Sequence, residues 1–364
     1  MKVLIIGAGA SGVACAINIK RRYPNDEIII IEHLAKPLKK ILATGNGKCN
    51  YGHLNIDFNQ YNHPEFVQPI IQEFNTVQFF ESLNVKTKKV DDLLYPMSES
   101  AETVRNAMLK ECAHKGIKFH LSETLIDYEV NDTITVKTDK EIYKCDKLVF
   151  AIGGKSSPKL GSDGSLFNLF KKHGYEFIEP QPSLCPIKIK ENIKELDGIR
   201  IKAKLTLDNH SEQGELLFKK DGLSGMVTFN MSRFVSLNKK QKILVDSLPE
   251  IDEKELKEYL GNHTKEEYAF AYFHPVFAAY LLKISKNNDD LIRNSKALSL
   301  EVNGLYDYEF SQVTKGGISI TNLTSKLESK FEKNVYFIGE IIDVDAPCGG
   351  YNLTWAFASA NYLH

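Results

Sequence analysis

The sequence predicts an α/β fold in which a dinucleotide-binding βαβ unit is followed by a β-rich region and a small helical one. Three observations carry this prediction. The chain opens on an apolar run, a glycine turn and a helical run, in that order. Its middle changes to short β-type stretches after a segment punctuated by Pro180, Pro182 and Pro186. Near its end, a second apolar run leads into another glycine-rich loop and a last helical run.

The opening stretch, Lys2 to Glu32, declares a nucleotide site. Val3 to Ile6 is an apolar run too short for a helix. Gly7-Ala8-Gly9-Ala10-Ser11-Gly12 follows, and Val13 to Arg22 then reads as helical. Tyr23-Pro24-Asn25-Asp26 breaks the helix, and Ile28 to Ile31 forms a second strand that ends on Glu32. Gly7 permits the tight turn, Gly9 lets a pyrophosphate approach the backbone, and Gly12 lets helix and strand pack closely. The amino end of the helix would hold the phosphates, and Glu32 would accept hydrogen bonds from a ribose. The geometry serves FAD and NAD alike, so this stretch alone does not choose between them.

The 364 residues suggest two or three domains. A formal net charge of −1 provides no basic footprint, so nucleic acid is not an expected partner. No apolar stretch approaches the roughly 18 residues needed to span a bilayer, and a strand from Lys2 onward leaves no room for a signal peptide. Cys15, Cys49, Cys112, Cys145, Cys185 and Cys348 are dispersed, with no CxxC pair and no metal-ligand spacing. Free thiols in a reducing cytoplasm are expected, and a paired-dithiol reductase mechanism and a metal site are not.

Further along, Lys39 to Asn50 (KKILATGNGKCN) is poor core material and good ligand-contact backbone. Phe66, Ile70, Phe74, Val77 and Phe80 give a helical pattern over 64–83. A helix is expected to end at Gly116. Short strands over 117–120, 125–130, 133–138 and 141–145 would form a meander leading to Leu148–Gly154, a buried strand that ends in two glycines. A helix near 166–173 closes this block, and a proline-rich linker follows. Stretches 187–190, 199–207, 214–218 and 226–230 read as strands, and 250–260, 268–284 and 288–298 as helices. Strands at 306–313 and 318–321 would return the chain to the β region.

The carboxy-terminal loop decides between the two dinucleotides. The strand 334–338 runs into Gly339-Glu340, and the loop 343–352 with Gly349-Gly350 opens a final helix from Leu353. Two such elements, a domain apart, suit the two ends of FAD: pyrophosphate at the first helix, ribityl and flavin at the second. Glu340 would accept from ribityl hydroxyls. The positive end of the last helix would face the flavin pyrimidine edge, where reduction leaves negative charge.

KKILATGNGKCN at 39–50, AIGGKSSPKLGSDG at 151–164, GLSG at 222–225, TKGGIS at 314–319, SKLESK at 325–330 and VYFIGEIIDVDAPCGGYNLTWAFASA at 335–360 resemble the YhiN/BaiN-like family of NAD(P)/FAD-dependent oxidoreductases, also described as aminoacetone-oxidase-like flavoproteins. The resemblance covers nearly the whole chain in order. It implies a Rossmann-like FAD-binding domain at 1–186 and 325–364, an inserted β-barrel-like domain at 187–248 and 304–324, and a small helical domain at 249–303. The chain departs from the family at Tyr51-Gly52-His53, where a Thr-Asn is usual, at 91–96, which lacks an Arg-containing run, and at 161–165, which lacks a common Thr.

The candidate cofactor contacts form four groups. At the adenosine half stand Gly7, Gly9, Ala10, Ser11, Gly12, Glu32 and His33. The first loop offers Lys40, Thr44, Gly45, Gly47, Lys48, Cys49 and Asn50. The central strand end supplies Ala151, Gly153 and Gly154, and the last loop Gly339, Glu340, Asp343, Gly349, Gly350, Tyr351, Asn352 and Leu353. Lys155 is a phosphate-neutralising candidate or a plain surface lysine. His53 and His63 are candidates for proton transfer or simply solvated loop residues, Cys49 and Cys348 could face a flavin, and Trp355 reads as core. No residue pattern names a catalytic group or an oligomeric state. The expected function is FAD-dependent oxidation–reduction, with NAD(P)H as a transient donor and a small organic molecule or oxygen as acceptor. The alternatives are an FAD-binding protein without turnover and an NAD-only dehydrogenase.

Overall fold

The computed structural model describes residues 1–363, which form two compact units. The first contains Met1–Gln181 and Val313 onward, and the second contains Pro182–Gln312.

The first unit is built on a five-stranded parallel sheet with the strand order Val335–Phe337, Lys147–Phe150, Lys2–Ile6, Glu27–Glu32, Lys118–Leu121. Ile5 pairs with Val149 on one side and Ile30 on the other, which sets the register at its centre. The inner strands are apolar almost throughout, and Phe150 of one packs against Tyr128 of the strand Leu125–Val130 and Phe170 of the helix Phe167–Lys172. The helices Ala10–Arg22 and Tyr351–Asn361 pack on each other. Arg22 ties their ends, its guanidinium donating to the carbonyls of Leu363 (2.7 Å) and Asn361 (2.7 Å), which the last helix leaves without internal donors. The Rossmann-like expectation is met.

Several local expectations are corrected. Lys118–Leu121 pairs in parallel with Glu27–Glu32, so the meander has three strands: Leu125–Val130, Ile134–Thr138 and Ile142–Cys145. The pattern over 64–83 is two helices, Pro64–Gln72 and Thr76–Ser82, because Asn75 caps the second by accepting from the Gln78 N–H (2.9 Å). The proline-rich linker contains a strand, Phe177–Ser183, paired only with Val313–Ile318. A two-stranded ladder has a free edge, where prolines are tolerated. Residues 306–313 contain a 3₁₀ turn, Tyr308–Phe310, and another, Ile320–Asn322, follows the strand Val313–Ile318. That strand, expected with the insert, clusters with the first unit.

The second unit is a closed six-stranded barrel with the order Ile187–Ile189, Gly222–Ser224, His210–Lys219, Arg200–Leu207, Lys242–Asp246, Leu298–Leu305. Four helices, Glu253–Asn262, Lys265–Tyr272, Pro275–Ile284 and Asn288–Ala297, intervene before the last strand. Their buried Leu256, Tyr268, Phe277 and Leu291 share one core with Leu205, Phe218 and Val245 of the barrel. Pro275 divides the expected helix 268–284, since it lacks an N–H and opens the next helix instead. Residues 226–230 are helical rather than extended. Val227, Thr228, Met231 and Ser232 form a buried helical face, and Gly225 (φ 95°) turns the chain where a Cβ would meet the Glu215 carbonyl at 2.5 Å.

Candidate functional site

Because the sheet is parallel, the carboxyl ends of its strands deliver Gly7, Glu32, Ala151 and Gly339 to the same edge, where open α/β sheets bind ligands. The three motif glycines differ physically. Gly7 is left-handed (φ 105°), and a Cβ there would lie 2.5 Å from the Ala151 oxygen. A Cβ on Gly12 would lie 2.0 Å from the Gly7 oxygen. A Cβ on Gly9 would meet nothing within 4 Å. Gly9 caps the helix Ala10–Arg22, whose first turn has no side-chain cap and no acid, so its N–H groups and dipole are available to an anion.

Glu32 is buried. One carboxylate oxygen accepts from the Ala8 N–H (2.7 Å) and the other from the Leu34 N–H (2.8 Å), with His33 Nδ1 3.2 Å from the latter oxygen. The carboxylate is thus aimed by the backbone, and each oxygen keeps a further lone pair.

In the first loop, Gly45, Asn46 and Gly47 are all left-handed (φ 55°, 54° and 84°), a run that glycine and asparagine tolerate. Thr44 Oγ1 donates to the Ile41 carbonyl (2.6 Å), and Lys48 reaches outward to Glu99 (3.4 Å). Cys49 is fully buried, and burial pushes its thiol up to about 11, so only its backbone is placed for a ligand. With its amide turned so that the nitrogen faces the Gly52 (2.8 Å) and Leu94 (3.2 Å) carbonyls, the orientation its neighbours require, Asn50 donates to both and accepts from the Gly350 N–H (3.2 Å).

The last loop is held against the others. Glu340 accepts from Lys40 Nζ (2.9 Å) and from the N–H groups of Thr314 (2.8 Å) and Gly154 (3.3 Å). A Cβ on Gly153 would lie 2.7 Å from Ser162 Oγ. One on Gly339 would lie 2.6 Å from Ser11 Oγ, so Ser11 seats the first helix on the last strand. Trp355 is core, as expected, and its Nε1 donates to the Gly339 carbonyl (3.1 Å). Asp343 accepts from His63 Nε2 (3.0 Å), Asn62 Nδ2 (3.2 Å) and the Gly316 N–H (3.1 Å). Gly350 (φ 90°) approaches Gly52 so closely that a Cβ would lie 2.3 Å from its oxygen, and the final helix begins with no side-chain cap and no acid. His53 Nδ1 sits 2.9 Å from the Gly349 carbonyl, and its ring packs on Tyr351. Tyr61 donates to the Tyr351 carbonyl (2.8 Å), and burial raises both phenols above their ordinary range. Asn352 closes its own loop, donating to the Ala346 carbonyl (2.8 Å) and accepting from the Ala346 N–H (3.1 Å), and Leu353 is half-buried.

The candidate residues therefore converge on one sheet edge, with Lys48 turned to the surface. Sequence reasoning overlooked Asn62 and Thr314. Asn62 pairs with Asp345 in both directions: its N–H donates to the Asp345 carbonyl (3.1 Å), and its side-chain oxygen accepts the Asp345 N–H (2.9 Å). Thr314 Oγ1 accepts from Lys155 N–H (2.7 Å) and Ser156 N–H (2.9 Å). A Thr two residues before the Gly316-Gly317 pair was the available signal for the second, and none existed for the first. Among the described residues, no group of three or more His, Cys, Asp or Glu could hold a metal ion, and no helix is long and apolar enough to cross a membrane.

With this geometry in hand, the model of the HI0933-like protein Rossmann domain family matches residues 1–363. The chain belongs to the HI0933-like family. That agrees with the resemblance read from its motifs. A 3-dehydro-bile acid delta(4,6)-reductase of Clostridium scindens is 30% identical over 395 positions, covering 98% of this chain and 97% of the relative. A ribosomal RNA dihydrouridine synthase of Escherichia coli is 26% identical over 387 positions, covering 98% of this chain and 95% of the relative. A protein of the same description from Haemophilus influenzae is also 26% identical over 400 positions, covering 98% and 96%. Among solved structures, the open conformation of a flavocytochrome c3 fumarate reductase superposes with a TM-score of 0.50 at 13% identity, covering 99% of this chain and 77% of that one, a likeness of fold.

Proposed function

We propose that the protein is an FAD-dependent oxidoreductase that uses NAD(P)H to reduce a carbon–carbon double bond conjugated to a carbonyl group in a small organic molecule. The observation that carries the cofactor assignment is the uncapped, acid-free amino end of the helix Ala10–Arg22 beside Gly9, where an added Cβ would meet nothing within 4 Å. That open cradle fits a pyrophosphate, and Glu32, held by the Ala8 and Leu34 N–H groups, fits the ribose beyond it. The second uncapped helix end, at Gly350, fits the edge of a flavin where negative charge gathers on reduction. FAD, when bound, supplies a two-electron carrier between a nicotinamide donor and an organic acceptor.

The acceptor class follows from what the relatives' names share. A delta(4,6)-reductase of a 3-oxo steroid acid and a synthase of dihydrouridine both describe adding two hydrogens across a double bond conjugated to a carbonyl. A formal net charge of −1 favours the small molecule over RNA. The protein's own part is to aim Glu32, to fasten the loops through Glu340 and Asp343, and to keep water from the reacting atoms. The absence of a membrane-spanning helix among the described residues and the six free cysteines are compatible with action in the cytoplasm.

The purified protein is expected to be yellow, to bleach anaerobically with NADH or NADPH, and to regain colour on addition of cyclohex-2-enone or a 3-oxo-Δ4 steroid, with a product richer by two hydrogens. A colourless protein that cannot be reconstituted with FAD overturns the cofactor assignment. Colour that neither donor bleaches points to FAD binding without turnover. Recovery of colour only with an RNA containing uridine overturns the small-molecule assignment.

A further inference from the structure

In the loop between Gly339 and Gly350, Asp343 is paired with His63, a residue that the cofactor assignment does not use. His63 Nε2 lies 3.0 Å from Asp343 Oδ2. The other oxygen, Oδ1, accepts from the Gly316 N–H (3.1 Å) and from Asn62 Nδ2 (3.2 Å). Both oxygens of the carboxylate are thereby fixed, and its side chain is only 11% exposed. His63 is 31% exposed, open enough to meet a ligand. Asp343 stands three residues after Glu340, and Tyr61 and Asn62, just before His63, bond to Tyr351 and Asp345 of the same loop, so the pair lies beside the glycines that open the final helix.

A carboxylate that accepts from one ring nitrogen fixes the orientation of a histidine and stabilises its protonated form when proton transfer is required. With Nε2 facing the Asp343 carboxylate, Nδ1 is the ring nitrogen left open to a ligand. Among the described residues Nδ1 has no hydrogen-bond partner.

We propose that His63 is the proton donor of the reduction, with Asp343 as its positioning residue. This inference rests on the reading that a conjugated double bond is the acceptor. Reduction breaks the π bond and forms two C–H bonds. A hydride originating in NAD(P)H, carrying both electrons, reaches the carbon remote from the carbonyl. The Nδ1 proton of the His63 imidazolium goes to the carbon next to the carbonyl. The neutral imidazole then regains a proton from water, NAD(P)H has been oxidised by two electrons, and the organic molecule has been reduced by two.

The test separates the two half-reactions of the holoenzyme in anaerobic stopped flow, comparing wild type with His63→Gln and His63→Ala. Bleaching by NAD(P)H is expected to stay within about two-fold of wild type in both variants. Recovery of colour with cyclohex-2-enone or a 3-oxo-Δ4 steroid is expected to slow by about 10²-fold or more, the usual worth of a positioned acid. Added imidazole is expected to restore part of the lost rate in His63→Ala. In D₂O, deuterium next to the product carbonyl is expected on one face with wild type and on both faces with His63→Gln, a readout that a purely structural histidine would not move. Unchanged recovery of colour in His63→Gln with one-faced deuterium overturns the inference alone. Equal slowing of both half-reactions without imidazole rescue also overturns it, assigning His63 to loop structure. A wild type that bleaches but is not reoxidised by either carbonyl compound overturns the reading of the acceptor, and this inference with it.

Discussion

Lys40 Nζ stands 2.9 Å from Glu340 Oε2, joining two glycine loops that lie 300 residues apart in the chain. The carboxylate also gathers the N–H groups of Gly154 and Thr314, so donors from three segments converge on one side chain. The side chains of Lys40 and Glu340 are 26% and 21% exposed, which leaves their attraction only partly screened by water. Glu340 is therefore a fastening point for the cradle before any ligand arrives, as well as a candidate acceptor for ribityl hydroxyls.

Removing the two partners should have unequal effects. Glu340→Ala strands the Gly154 and Thr314 N–H groups and is expected to cost about 2–3 kcal/mol. Lys40→Met leaves Glu340 with two backbone donors and is expected to cost about 1 kcal/mol or less. Urea unfolding of the cofactor-stripped variants checks this, and equal losses would show that Glu340 acts through the ion pair alone.

Much of this arrangement was legible in the sequence because glycine leaves a mark wherever backbones meet. Gly7, Gly12, Gly339 and Gly350 are all positions where a Cβ would collide with a neighbour, and each stood in a motif. The side-chain partners were less visible. Glu340 was read as facing a ribityl chain, yet its donors come from residues 40, 154 and 314, and no local pattern announces such pairings. Local conformation failed where two readings of the same residues compete. Residues 226–230 alternate enough to suggest a strand, but the face that is buried is Val227, Thr228, Met231 and Ser232, which is helical spacing. Phe177–Ser183 has two prolines and still forms a strand, because pairing on one side leaves the other edge free of ladder bonds.

The motif glycines should separate folding from binding. Gly12→Ala places a methyl 2.0 Å from the Gly7 oxygen and is expected to lower stability by about 3 kcal/mol or more, since backbone must move. Gly9→Ala meets nothing within 4 Å and has an ordinary φ of −78°, so the melting temperature of the cofactor-free protein should barely change. Its methyl would instead occupy the space assigned to the pyrophosphate and weaken FAD binding about ten-fold or more, equivalent to about 1.4 kcal/mol. Flavin fluorescence titration and thermal melting of both variants check the contrast, and unimpaired FAD binding by Gly9→Ala would place the phosphates elsewhere.

Thiol reactivity should be confined to one residue. Burial pushes Cys49 and Cys185 up to about 11 and Cys15, Cys112 and Cys145 up to about 12, and all five are buried. At about pH 8 roughly one in a thousand or fewer of such thiols is ionised, and the thiolate is the reacting form. Cys348 is half-exposed. A chromogenic disulfide reagent is therefore expected to label the native protein once, rapidly, at Cys348, and the Cys348→Ser variant only on unfolding. Rapid labelling of Cys49 would show that its loop opens.

The same five thiols set an alkaline limit to stability. Each has a folded pKa raised above the unfolded value of 9.0, so the folded state binds protons that the unfolded state releases. Under that sign the stabilising contribution is fully present below about pH 9 and declines as the pH rises from there toward the folded values of about 11 to 12. The buried phenols of Tyr51 (raised to about 12) and Tyr61 act in the same direction from their own ordinary value of 10.0 upward. The melting temperature is thus expected to be nearly flat from about pH 7 to pH 8.5 and to fall with increasing slope beyond about pH 9. Cys15→Ala, which removes one of these thiols from the first helix at a small cost in packing, should lower stability at neutral pH and yet reduce the alkaline slope. A slope identical to that of wild type would mean that Cys15 already ionises in the folded state, and that the helix Ala10–Arg22 is less tightly seated on the sheet than its buried face implies.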